Sequence, residues 1–383
     1  MRIPADFSRA IFNREYLLKL AAVFVAYWAA GKLGLQVPFT DLNVSPVWPA
    51  AGVAVAAVLI WGYRVWPGIA AGAFCVNFFS PIPHPAAFGM ALGNTASALV
   101  AGYLLNRIRG FDKRLHRLRD VLLLCLIGST ATVVAATAGT TTLYVNGLRP
   151  WAAFSSSWLI WWAGDSIGVL LFAPFILSAS EALLQRTRRQ RIGEGAVLIS
   201  GALLVCGVVF GEHLVSKTVA HVVAFGLFPF VMWAALRFGI LGTSLLSSGL
   251  ALITVWQTAD GRGPFAESAP LSNAALLQVF LALISLTGMV LAVVVQEREA
   301  AEDRLAREKE LIRERDQAEV ERRHAEAALL RNEKLAAAGT LAATIAHEIR
   351  NPLSAITNTV YLLNSASLPA DIRQLVALLA TEV

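Results

Sequence analysis

The sequence predicts an all-α protein: a polytopic transmembrane helix bundle of about ten spans, then a cytoplasmic helical rod and a helical hairpin. Three observations predict it. Of 383 residues, 56% are hydrophobic and 15% charged, whereas soluble globular proteins average about 25% charged. The charge is also unevenly divided. Residues 1–296 hold 20 Lys and Arg with 11 Asp and Glu, and residues 297–383 hold 12 with 15. The charged fraction therefore rises from ~10% to ~31% at one point in the chain. Finally, apolar stretches near the length of a bilayer crossing recur up to Gln296, and the segment after it has neither Gly nor Pro until Gly339. Soluble-enzyme and disordered classes are excluded by this composition. The net charge of +6 sits in loops between apolar spans and implies no nucleic-acid partner.

Ten apolar segments are expected as spans: 17–35, 47–66, 68–80, 86–105, 119–143, 154–179, 195–211, 219–237, 240–256 and 271–296. A crossing needs roughly 20 residues, so the short third segment makes eight the alternative count. The first segment has no A-x-A cleavage site and reads as an uncleaved anchor. Their direction follows from the positive-inside rule. With the N-terminus inside, sixteen Lys and Arg fall on inner segments, among them Arg2, Arg9, Arg64, Lys113, Arg186 and Arg237; four (Lys32, Arg149, Lys217, Arg262) fall outside. The outer loops are too short for a folded domain, so an external stimulus must be read within or between helices.

Inside the spans, polar side chains are costly and informative. Asp165, in WWAGDSIG, sits near the middle of its span, where a carboxylate costs about 2.5–3.5 kcal/mol on insertion scales. It is a candidate intramembrane signal, ion or proton site. Asn77, Asn94 and His221 are expected to make interhelical hydrogen bonds, and Gly72, Gly89 and Gly93 to let helices approach closely. Trp48, Trp66, Trp151 and Trp256 are expected in an interfacial belt, and Arg237 to snorkel to the headgroups. Cys75, Cys125 and Cys206 form no C-x-x-C pair and read as buried thiols.

Several stretches of the membrane part, taken in order, carry a resemblance. SPVWPAAG (45–52), WGYRVWPGIAAGAF (61–74), GNTASAL (93–99), WLIWWAGDSIGVLLFAPFIL (158–177), LRFGILGTS (236–244) and GRGPF (261–265) together resemble the MASE1 domain. MASE1 is a multi-spanning bacterial sensory module placed ahead of histidine kinases and diguanylate cyclases. The resemblance implies signal input at the bacterial inner membrane, with both termini cytoplasmic, and implies no particular ligand.

From Glu297 to Leu335, Ala, Glu, Arg and Leu favour helix. A broken apolar stripe (Leu305, Ile312, Leu329) with charges at Glu308, Arg315 and Arg322 reads as a weak coiled coil. In GTLAATIAHEIRNPLSAITNTVYLL (339–363), Leu341, Ile345, Ile349, Pro352, Ile356, Val360 and Leu363 make one helical face. His347 lies two residues from Ile345 and Ile349, about 200° around the helix, and so faces away from that stripe. Neutral imidazole is a nucleophile near neutral pH, and Glu348 beside it can take or orient its proton. Zinc binding of the His-Glu pair would need a second His at i+4, where Asn351 stands.

AHEIRNPLSAI (346–356) closely resembles the phosphoacceptor box of HisKA-type sensor histidine kinases. By that resemblance His347 is the phosphoacceptor, Glu348 an acid/base, and Asn351 the residue that positions water or the partner aspartate during phosphatase action. Pro352 matches the family's helix-bending proline. The resemblance also implies a hairpin, with a loop over Asn364–Pro369 and a second helix through Ile372, Val376 and Leu379. It implies homodimerisation and transfer to a response-regulator receiver domain. ATP and Mg would be bound by a domain outside this sequence, because neither an Asp-x-Gly-x-Gly box nor a P-loop is present; Asp260-Gly261-Arg262-Gly263 has the wrong spacing. No metal or cofactor is expected on these residues, and without that domain the chain as given is expected to be inactive alone and to be a fragment.

The expected division is 1–296 membrane sensor, 297–335 signalling linker and 336–383 phosphoacceptor hairpin. The competing reading is a membrane-embedded solute-binding or transport protein with a helical dimerisation tail, whose Asp165 would serve uptake.

Overall fold

A computed structural model describes residues 14–36, 45–182, 192–211, 217–266 and 270–382. The inner-face arginines Arg2 and Arg9 and those of the 186–191 cluster lie outside the described residues. Among the described residues there are α-helices and short 3-10 turns and no strand. The helices are α1 (Arg14–Leu35), α2 (Pro49–Trp61), α3 (Trp66–Phe78), α4 (His84–Arg107), α5 (Leu118–Val145), α6 (Phe154–Ala182), α7 (Ile192–Phe210), α8 (Lys217–Ala224), α9 (Phe228–Ala259), α10 (Pro270–Ser365) and α11 (Ala370–Glu382). The chain divides into two units, Met1–Ala301 and Glu302–Val383.

Among the described residues, seven stretches, the last of them in α10, are long and apolar enough to cross a membrane. Large apolar side chains such as Leu126, Leu204 and Val222 stay exposed on them, as lipid requires and water would penalise. The protein is an integral, multi-pass membrane protein.

Two pairs of the ten expected segments differ from separate full-length crossings. Segments 47–66 and 68–80 are helices of 13 residues each, about 20 Å long at 1.5 Å per residue, short of the roughly 30 Å hydrocarbon core. Proline opens both, and Gly62 (φ 81°) separates them. Segments 219–237 and 240–256 fall instead in one stretch, Val219–Ala259, which contains a break at Gly239 (φ 61°, ψ −153°). The break reverses the chain: Val231 and Thr243, twelve residues apart, both lie against Gly288 of α10, whereas a straight helix would hold them ~18 Å apart. The left-handed φ at this apex is one that glycine tolerates.

Within the first unit α6 is central, packing on α2, α5 and α9. Its approach to the segment before α2 is backbone on backbone. A Cβ on Gly168 would overlap the Trp48 carbonyl, and one on Gly164 would lie 2.5 Å from the Ser45 carbonyl. The Trp48 N–H donates to the Gly164 carbonyl at 3.0 Å. Close approach also holds at the glycines expected to allow it: a Cβ on Gly89 or Gly93 would press on Thr142 or Ala138, and one on Gly72 on Tyr27.

Residues assigned to inner loops gather together. Tyr16 donates to the Arg64 carbonyl (3.0 Å) and Lys113 to that of Leu59 (3.2 Å). Arg114 and His116 pair with Glu181 (3.6 and 3.2 Å). A cavity of about 450 Å³ joins these groups to Arg237, Gly239 and Gln296. Arg237 is not simply snorkelling: its guanidinium makes a two-point contact with Glu194, at 2.6 and 3.1 Å.

In the second unit, α10 ends at Ser365 and α11 begins at Ala370, and Val360 and Val376 are buried. The stripe Leu341, Ile345, Ile349, Leu353 and Ile356 remains exposed within the single chain. Pro352 lies inside α10 and, lacking an N–H, removes the helical donor for the Glu348 carbonyl.

Candidate functional site

Two places carry chemistry. The first is the phosphoacceptor turn of α10. His347, Glu348 and Asn351 are all exposed, so the imidazole is not packed against the neighbouring leucines. Asn351, one turn on, lies with Nδ2 3.3 Å from His347 Nδ1. With the amide nitrogen as donor, Nδ1 accepts and the ring proton sits on Nε2. Turning the amide over presents Oδ1 to an Nδ1–H and frees the Nε2 lone pair for attack. Thr344 and Thr340 turn their hydroxyls onto the carbonyls one turn back (2.9 Å each). The site needs only helix periodicity to form, which is why the sequence displays it.

The second place is inside the membrane bundle. Asp165 is 2% exposed, and a cavity of about 10 Å³ is lined by its side chain with Tyr27, Trp48, Asn94, Ser97 and Thr132. Tyr27 Oη and Trp48 Nε1 are buried, and neither makes a hydrogen bond of good length and angle. Trp48 is thus drawn into the bundle and leaves the interfacial belt, whereas Trp66, Trp151 and Trp256 are exposed as expected. Asn94 lines this cavity, and Asn77 bonds only within its own helix, to the Ala73 carbonyl at 2.9 Å. The ring of His221 lies edge-on to Phe265. Asp165 and His347 belong to different units.

One residue escaped sequence reasoning. Gln278 of α10 is 6% exposed and donates through Nε2 to the carbonyls of Pro46 and Ile160, at 3.0 Å each. Its signal was a lone amide within AALLQVFLALIS, which deserves the same suspicion as a lone carboxylate.

A family model for MASE1 matches residues 17–299. The chain belongs to the MASE1 family. A second model, the His Kinase A (phospho-acceptor) domain, matches residues 337–383. A MASE1 membrane domain followed by a HisKA phosphoacceptor domain is the arrangement of a membrane sensor histidine kinase. No curated protein and no solved structure matches the chain. In this MASE1 protein the Asp165 cavity falls inside the matched sensor domain, and His347 inside the HisKA match.

Among the described residues no group of three or more His, Cys, Asp or Glu could hold a metal ion. The residues around His347 include no glycine-rich loop to cradle a nucleotide.

Proposed function

We propose that this protein is a membrane-bound sensor histidine kinase of a two-component phosphorelay. It senses through its MASE1 bundle, presents His347 on the cytoplasmic side of the bacterial inner membrane, and passes phosphate to a response-regulator aspartate. The observation that carries the reading is an exposed His347 with Asn351 one turn away, in a HisKA box that follows a MASE1 domain.

The transfer forms a bond between Nε2 of His347 and the γ-phosphorus as the bond from that phosphorus to the bridging oxygen breaks and ADP leaves. Glu348 takes the imidazole proton. Asn351 positions the receiver aspartate or a water for the reverse reaction. ATP and Mg are held by a catalytic domain acting on this helix. Residues 1–296 form the sensor, 297–335 the signalling linker and 336–383 the dimerising hairpin. The weak heptad stripe of the linker supports a switch between two states a few kcal/mol apart. Counting the two short helices and both arms of the Gly239 hairpin as membrane-embedded gives ten segments and leaves both termini cytoplasmic. The exposed Leu341–Ile356 stripe supports a homodimer, since four such helices cover one another's apolar faces. Asp165 belongs to the signal input.

The test is phosphate incorporation from ATP, with the ATP-binding domain in cis or supplied in trans. An acid-labile, base-stable label is expected in the wild type and none in His347→Gln; a label that persists in that variant rejects the assignment.

A further inference from the structure

We propose that the cavity enclosed by Tyr27, Trp48, Asn94 and Asp165 is a proton-binding site, in which Asp165 gains and loses a proton through one bridging water. The inference deepens the sensor reading, on which its link to signalling rests, while the proton binding itself stands on the bundle alone.

Size sets the first limit. A cavity of about 10 Å³ admits roughly one water-sized particle, which excludes sugars, nucleotides and peptides. Charge sets the second. The lining holds one carboxylate and no Lys, Arg or His. An isolated ionised carboxylate buried in a membrane bundle is costly, so the site requires one positive charge from outside the protein. Among the described residues, its packed neighbours supply none. From α1 comes Tyr27, the one other titratable group at the cavity; α2 presents Ala51, Ala54 and Val55, α4 Asn94 and Ser97, and α5 Thr132. On α6 itself the indole of Trp161 lies beside the Asp165 carboxyl. From α9, the neutral Ser248 hydroxyl donates to the Leu171 carbonyl of α6.

The orphaned donors decide which cation fits. Trp48 Nε1 and Tyr27 Oη are buried, and although Tyr27 lies beside both Trp48 and Asn94, neither atom makes a hydrogen bond of good length and angle. A water oxygen accepts from both the Trp48 N–H and the Tyr27 O–H while its hydrogens reach Asp165 and Asn94, which satisfies the orphans together. A bare metal cation would instead face the positive end of the indole N–H. On protonation, a hydronium hydrogen transfers to a carboxylate oxygen, leaving a neutral acid and a water, and charge and atoms balance. The site also adjoins the output helix: Trp48 lies two residues from Pro46, and Asp165 five from Ile160, the two residues whose carbonyls Gln278 of α10 holds.

The experiment is pH-difference infrared spectroscopy on the whole chain in lipid nanodiscs, in potassium buffer. A carboxylic-acid carbonyl band that grows on acidification and shifts in heavy water is expected in the wild type and absent in Asp165→Asn. Tyr27→Phe should move its midpoint by about one pH unit, tenfold in proton affinity. A band unchanged in Asp165→Asn, or a midpoint unmoved in Tyr27→Phe, overturns the site. A midpoint displaced when sodium replaces potassium at equal pH overturns the proton assignment in favour of a sodium ion. Helical circular dichroism matching the wild type is required of each variant before its band is read. His347→Gln should keep the band while losing phosphate label, so failure of the kinase reading leaves this test standing.

Discussion

Gln278 and Ile160 are 118 positions apart, yet the amide of the first donates to the carbonyl of the second at 3.0 Å inside the bundle. The same amide holds the Pro46 carbonyl. The helix that leaves the membrane is thereby tied to the helix bearing Asp165 and to the segment bearing Trp48.

Gln278→Leu should remove both bonds while preserving volume and helix propensity. Hydrogen bonds between membrane helices average about 0.6 kcal/mol and reach about 1.7, so a modest fall in thermal midpoint is expected. The response of His347 phosphorylation to the stimulus should flatten, with basal labelling retained. An unchanged midpoint and an unchanged response together would show that the contact couples nothing.

Gly168→Val should be far more damaging. The added Cβ meets the Trp48 carbonyl, which is backbone and cannot rotate away. Overpacking of this kind costs about 1–3 kcal/mol or more. Monodispersity and thermal unfolding in detergent measure it; wild-type stability would mean that α6 and the 45–48 segment do not lie this close.

At the phosphoacceptor turn, three substitutions should separate by role. His347→Gln abolishes labelling. Glu348→Gln slows it by about 10²–10⁴-fold, the usual range for a positioned acid/base. Asn351→Ala keeps labelling of His347 but loses dephosphorylation of the regulator. Equal losses in all three would point to a folding defect, and time courses of both reactions distinguish the cases.

The exposed stripe of the second unit should be a dimer contact. Ile349 is 54% exposed and Leu353 41%, and burying an aliphatic side chain of this size contributes about 1.5–3 kcal/mol. Ile349→Asp with Leu353→Asp should therefore yield monomers in nanodiscs by mass photometry. Dimers that persist would place the interface elsewhere.

Much of this was legible before any coordinates. Hydropathy located the helices, because the bilayer imposes a length and an apolar composition on each crossing. Periodicity put His347 opposite the isoleucine stripe, because a helix repeats every 3.6 residues whatever lies around it. Asp165 stood out because a lone carboxylate in an apolar run is expensive.

Tertiary structure alone decided the rest. An aromatic residue at a span end looks the same whether it is exposed, as Trp151 is, or has its indole N–H buried beside an acid, as Trp48 does. Gly239 reads as one glycine among 28 until its φ of 61° turns the chain back on itself. The partners of Gln278 and the company of Asp165 are set by contacts between residues far apart in the chain. Composition and period report only what a residue's near neighbours and its solvent demand, so the sequence by itself determined the helices and the membrane-spanning character and set His347 on an exposed face. Which polar groups meet inside the bundle depended on how the helices pack.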